Sequence, residues 1–175
     1  WATGELWLRV PETFKFNITG KFPKGVYAKD LILKIIRDIG ADGATYKTME
    51  YHGDAVKEMS IPERMTICNM SMEAGAKAAR IMPDRKTFNY IRGRVSREFK
   101  KTMSDPSAKY EKTFDYDLGN LVPQVACPHT VDNGKDVGDI AGLTINQAVI
   151  GSCTNGRLDD LEIAASILRG RQVHN

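Results

Sequence analysis

The chain has 175 residues, of which 42% are hydrophobic, 27% charged and 8% aromatic. That composition excludes global disorder and collagen-like repetition, and the length suits one domain or slightly more. With 25 basic and 22 acidic residues the net charge is +3, too even a balance to argue by itself for nucleic acid or an anionic membrane.

The longest apolar run, Leu31-Ile32-Leu33 then Ile35-Ile36, is broken by Lys34 and falls far short of the roughly 20 residues that span a bilayer. No membrane association is expected. Three widely spaced cysteines do not read as a disulfide framework, so a reducing, cytoplasmic setting is expected. The opening Trp1-Ala2-Thr3-Gly4 carries no initiator methionine, charged leader or cleavage site. No targeting segment is visible, and the chain reads as a piece of something longer.

Taken in order, Glu5 to Val10 is β-rich, and Thr13 to Thr19 alternates Phe14, Phe16 and Ile18 with polar residues, predicting a strand with one buried face. Gly20 to Gly25 is a turn; its glycine spacing suggests a phosphate loop, but Val26-Tyr27 stand where Lys and Ser/Thr are required. Ala28 to Ile39 is predicted helical, with Leu31, Ile32, Ile35, Ile36 and Ile39 on one face and Gly40 as its stop. Ala44 to Tyr51 reads as a strand. Ser60-Ile61-Pro62-Glu63 is a capping box with Pro in the first turn, opening a helix that should run from about Pro62 to Ala74.

Beyond the break at Met82-Pro83-Asp84, Thr87 to Met103 is basic and partly helical, and Ser104-Asp105-Pro106-Ser107 is the best internal linker. Strands are expected near Lys112 to Tyr116, Leu121 to Ala126 and Gln147 to Ile150. Helices are expected near Val137 to Ala141 and over Leu158 to Leu168, the latter closed by Gly170. Strands alternating with helices predict an α/β layered fold.

Two stretches could carry chemistry. In Gly151-Ser152-Cys153-Thr154-Asn155-Gly156-Arg157 a cysteine lies in a small polar loop before a helix N-terminus. Free amides and the helix dipole there favour a thiolate, a nucleophile or a metal ligand; the alternative is a small apolar residue packed in a tight turn. In Met65 to Glu73, Asn69 and Glu73 are four apart and share a helix face. They could orient a polar ligand or simply face solvent. Arg92, Arg94, Arg97, Lys100 and Lys101 form a basic cluster, with Phe99 the one aromatic between Arg92 and Met103, a poor stacking platform for nucleic acid. His52, His129 and His174 lack metal-ligand spacing.

The Gly151 to Arg157 motif resembles the aconitase superfamily, and within it the large subunits of 3-isopropylmalate dehydratase and homoaconitase. Gly25 to Asp30, Arg64 to Ala76, Ile81 to Asp84, Pro123 to Val125 and Ile145 to Gln147 fall in family order, so the resemblance covers nearly the whole chain. It implies three-layer α/β/α domains around a [4Fe–4S] cluster, here in part: 1–24 as the end of one domain, 25–105 carrying Asn69 and Glu73, and 106–175 carrying the Cys153 loop.

The resemblance also implies roles. Cys153 matches the first of three cysteine ligands of the cluster, Glu73 the glutamate beside the open iron, and Asn69 its neighbour. The implied reaction is dehydration and rehydration of a hydroxy di- or tricarboxylic acid, with isopropylmalate first and homocitrate as the alternative, and with a small subunit as partner. The family's later C-x-x-C pair is missing from this sequence, as are its upstream histidine motifs. Cys68 and Cys127 do not match ligand positions, so the chain alone should hold no cluster and have no activity. An RNA-binding role, known among aconitase relatives, is disfavoured by near-neutral charge and few aromatics.

Overall fold

The computed structural model describes residues 2–172; Trp1 and His174 lie outside the described residues. Four parallel strands form one sheet in the order β3-β2-β1-β4. They are β1 (Thr13–Thr19), β2 (Thr48–His52), β3 (Ala78–Ile81) and β4 (Lys112–Asp117). Helices α1 (Ala28–Ile39), α2 (Asp54–Glu58) and α3 (Ile61–Met70) fill the crossovers. Both crossovers step the same way across the sheet, so right-handed connections place α1 and α3 on the same face, and the two helices pack together there. The expected α/β fold, a parallel sheet flanked by helices, is what the structure shows.

Register explains the core. Phe14 pairs with Met49 and Phe16 with Tyr51, while Phe16 also lies opposite Phe114. Alternation then sends these side chains to the helix-covered face. Phe16 stacks on Phe114 with ring centroids 4.9 Å apart and meets Tyr51 at 5.3 Å. Leu31, Ile32, Ile35 and Ile36 of α1 close over them, fully buried, with Ile67 of α3.

The opposite face is polar. Glu50 there is fully buried and accepts hydrogen bonds from Ser104 Oγ at 2.6 Å, Arg80 Nε at 2.7 Å and Tyr110 Oη at 3.2 Å. Burial alone would raise its pKa, but Ser104 and Arg80 bring it below the usual carboxylate range. These bonds hold Ser104 and Tyr110 against the sheet. Of the segment expected to be a linker, Ser104 is therefore held to the sheet while Asp105 to Ser107 are exposed, and β4 beyond it pairs with β1 before it. One sheet takes strands from each of the segments 1–24, 25–105 and 106–175, so their boundaries do not separate its core. Local breakers mark where the chain turns, not which strands later pair.

Other differences share that cause. Glu5 to Val10 and Gln147 to Ile150 form no strand; Trp7 is 85% and Val149 83% exposed. β-propensity needs a neighbouring strand and a face to bury. Conversely β3, short and without clear alternation, exists because β2 pairs with it. The strand expected over Ala44 to Tyr51 begins only at Thr48. Helical structure expected over Thr87 to Met103 is confined to α4 (Arg85–Ile91). A hairpin of β5 (Gln124–Ala126) and β6 (Gly134–Asp136) follows, then one helical turn, α5 (Ser152–Asn155), and α6 (Leu158–Leu168).

No helix among the described residues is long and apolar enough to cross a membrane.

Candidate active site

The start of α3 is fixed as its sequence implies. Ser60 Oγ accepts from the Glu63 amide at 3.3 Å, and the Glu63 carboxylate accepts from the Ser60 amide at 2.7 Å. Its end differs from expectation: the α-helix stops at Met70 and tightens into a 3₁₀ turn over Ser71–Ala74. Ser71 Oγ donates to the Ile67 carbonyl at 2.9 Å and accepts from the buried Tyr51 hydroxyl at 2.7 Å. A side chain competing for a carbonyl one turn back bends a helix at that point. Gly75 then takes a left-handed φ of +81°, and a Cβ there would lie 2.8 Å from Thr45 Oγ1.

Glu73 thus stands on the 3₁₀ turn and Asn69 on the last turn of α3. Both are exposed. Asn69 Nδ2 donates to the backbone carbonyl of Cys153 at 3.4 Å, and α5 packs on α3. Cys153 is exposed and unpaired. Glu73 and Cys153 line one cleft of about 1010 Å³, walled also by Tyr27 and Asp30 at the start of α1, Thr66 and Met70 of α3, and Gln124 to Ala126 of the hairpin. Glu73 and Cys153, 80 residues apart in sequence, are brought to one opening.

Most carboxylates on that opening are already engaged. Asp30 accepts from the Tyr27 amide at 2.7 Å and the Gln124 amide at 2.8 Å. Asp160 accepts from the Arg157 amide at 3.0 Å, capping α6. Glu63 holds the Ser60 amide. Among the described residues, exposed Glu73 and half-buried Asp159 are the acids left to meet a ligand.

Metal chemistry needs thiols in the right place. Cys68 is half-buried on α3, and burial pushes its thiol up to about 11. Cys127 follows β5, its amide bonded to the Asn133 carbonyl. Among the described residues no group of three or more His, Cys, Asp or Glu is placed to hold a metal ion. The donors present fit one ligand of a larger set, through Cys153, and not a complete set.

The histidines are likewise apart: His52 bonds Glu50 at 2.8 Å on the polar face of the sheet, and His129 is exposed in the β5–β6 turn. In the basic region Phe88 stacks with Phe99 and lies under Lys101, and Arg94 covers Tyr90. Those aromatic faces are taken by intramolecular partners.

Sequence reasoning missed the contributions of Tyr27, Asp30 and the hairpin, and it assigned no part to Thr66 or Arg157. The periodicity of α3 carries the one available signal: Thr66, Asn69 and Glu73 recur at helical spacing.

The whole chain, residues 1–175, matches the profile of the Aconitase family (aconitate hydratase). It is 51% identical over 174 residues to the 3-isopropylmalate dehydratase large subunit 1 of Methanopyrus kandleri, covering 99% of this chain and 42% of that protein. It is 51% identical over 172 residues to the probable methanogen homoaconitase large subunit of Methanosarcina mazei, covering 98% and 44%. With the 3-isopropylmalate dehydratase large subunit of Sulfurihydrogenibium sp. it shares 52% over 174 residues, 99% of this chain and 40% of the relative. The chain spans less than half the length of each of these relatives. A profile match along its entire length, with relatives about half identical over it, shows that the chain belongs to the Aconitase family.

Proposed function

We propose that this chain belongs to the large subunit of a 3-isopropylmalate dehydratase, a cytoplasmic hydro-lyase of leucine biosynthesis that interconverts 2- and 3-isopropylmalate by dehydration and rehydration and works with a small subunit. The observation that carries this reading is the shared cleft: Cys153 and Glu73 both line it, and Asn69, one turn before Glu73, bonds the Cys153 carbonyl.

Cys153 would hold one iron of a [4Fe–4S] cluster, its remaining ligands coming from outside this chain. Bound there, the cluster supplies a Lewis acid for a hydroxyl and carboxylate of the substrate. Glu73 holds the proton of the departing hydroxyl, or of the returning water, at its carboxylate oxygens by a charge-assisted hydrogen bond. Asn69 keeps the Cys153 backbone in place. Met70, Val125 and Ile163 supply apolar wall for an alkyl substituent and limit water there.

Homoaconitase, acting on homocitrate, is the second reading, because a relative so named is as similar as the dehydratases. The assay is interconversion of each substrate by the full-length large subunit with its small subunit. Isopropylmalate should turn over, Glu73→Gln should lower the rate by about a hundredfold or more, and these 175 residues alone should be inactive. Turnover of homocitrate in place of isopropylmalate transfers the assignment to the second reading; turnover of neither refutes both.

A further inference from the structure

Cys153 sits on a turn in which no residue is fully buried, so packing alone does not fix its position. Two polar contacts cross from that turn to α3. At its start the Cys153 carbonyl accepts from Asn69. At its end Arg157 reaches back, and its Nη1 donates to Thr66 Oγ1 at 3.1 Å. Thr66 is 95% buried on the core-anchored helix, so its hydroxyl is a fixed point, and the Arg157 amide is itself held by Asp160. Thr66 and Asn69 are one turn apart on α3, and Glu73 follows one turn later.

We infer that Arg157 is a positioning residue: its bond to Thr66 is the second strut that sets the Cys153 sulfur against Glu73, and without it the turn pivots on the single, longer Asn69 contact. This rests on the reading of Cys153 as a cluster ligand. Groups that orient a metal ligand affect metal retention far more than overall stability.

The test uses the full-length protein with its cluster. Arg157→Ala and Thr66→Val should each speed chelator-driven loss of the cluster's visible absorbance by about tenfold, with the melting temperature unchanged. The double variant should be no faster than either single one, since both remove the same bond. Thr66→Ser, which keeps the hydroxyl, should behave as the parent. In the cluster-free protein, amide hydrogen exchange of residues 152–157 should quicken in Arg157→Ala and Thr66→Val and not in Thr66→Ser. Unchanged loss rates in the single variants, or effects that multiply in the double one, overturn the strut. If Cys153→Ser keeps its visible absorbance, the ligand reading fails instead, and hydrogen exchange alone then decides: quickening upholds the strut, and no change removes it.

Discussion

The two walls of the cleft are built differently. Asn69 and Glu73 stand at the end of a helix whose Ile67 and Met70 are buried against α1 and the sheet. Cys153 stands on a segment, residues 141–172, in which no described residue is fully buried; α6 keeps Leu158, Ile167 and Leu168 exposed. One wall is positioned by burial of apolar surface, which is large and non-directional. The other is positioned by a few directional hydrogen bonds, each worth about 1 kcal/mol net.

The sharpest way to break this contrast is to delete apolar groups on each side. Phe16→Ala removes a fully buried ring stacked on Phe114 and should cost about 4 kcal/mol in urea unfolding. Ile167→Ala, on the 59% exposed position of α6, should cost less than about 0.5 kcal/mol. Equal losses would show that the two walls share one core.

A smaller effect probes the anchoring of α3. Arg64, 6% exposed at the side chain, donates to Asp84 Oδ2 at 2.6 Å and to the Lys57 carbonyl at 3.0 Å, while its Nε and Nη1 are buried without a partner among the described residues. Asp84 is partly exposed and its charge partly screened. Asp84→Ala should therefore cost about 2 kcal/mol, less than the loss of one partner from a fully buried pair.

The Arg64 guanidinium holds the Asp84 carboxyl down to about 2, from 3.8. A carboxyl depressed on folding stabilises fully above its unfolded value and loses that contribution as pH falls through its folded one. The parent should lose stability relative to Asp84→Ala as pH drops from about 4 toward 2, read by urea midpoints across that range. A constant difference would remove Asp84 from the anchoring of α3.

The same contrast governs what could be read from sequence. α1 was legible to its ends because Leu31, Ile32, Ile35 and Ile36 recur at helical spacing and Gly40 stops them. The capping box at Ser60 is chemistry within four residues. Cys153, Asn69 and Glu73 were legible as motif positions, but their meeting was not a property of spacing. Arg157 and Thr66 are 91 residues apart, and nothing local ties a guanidinium to that hydroxyl. β3 and the packing of Ser104 depend on pairing with β2 and on the buried Glu50. Glu5 to Val10 and Gln147 to Ile150 show the reverse error, since strand composition without a partner yields no strand.

The most direct test of the assembled cleft is the visible absorbance of the full-length protein in three single variants. Cys153→Ser should abolish the broad absorbance of the cluster, because its sulfur is the one thiol exposed on the cleft beside Glu73. Cys68→Ser, where burial keeps the thiol neutral, and Cys127→Ser should retain it. Absorbance that survives Cys153→Ser, or disappears with Cys68→Ser or Cys127→Ser, would contradict the assignment of Cys153 as the ligand this chain brings to the site.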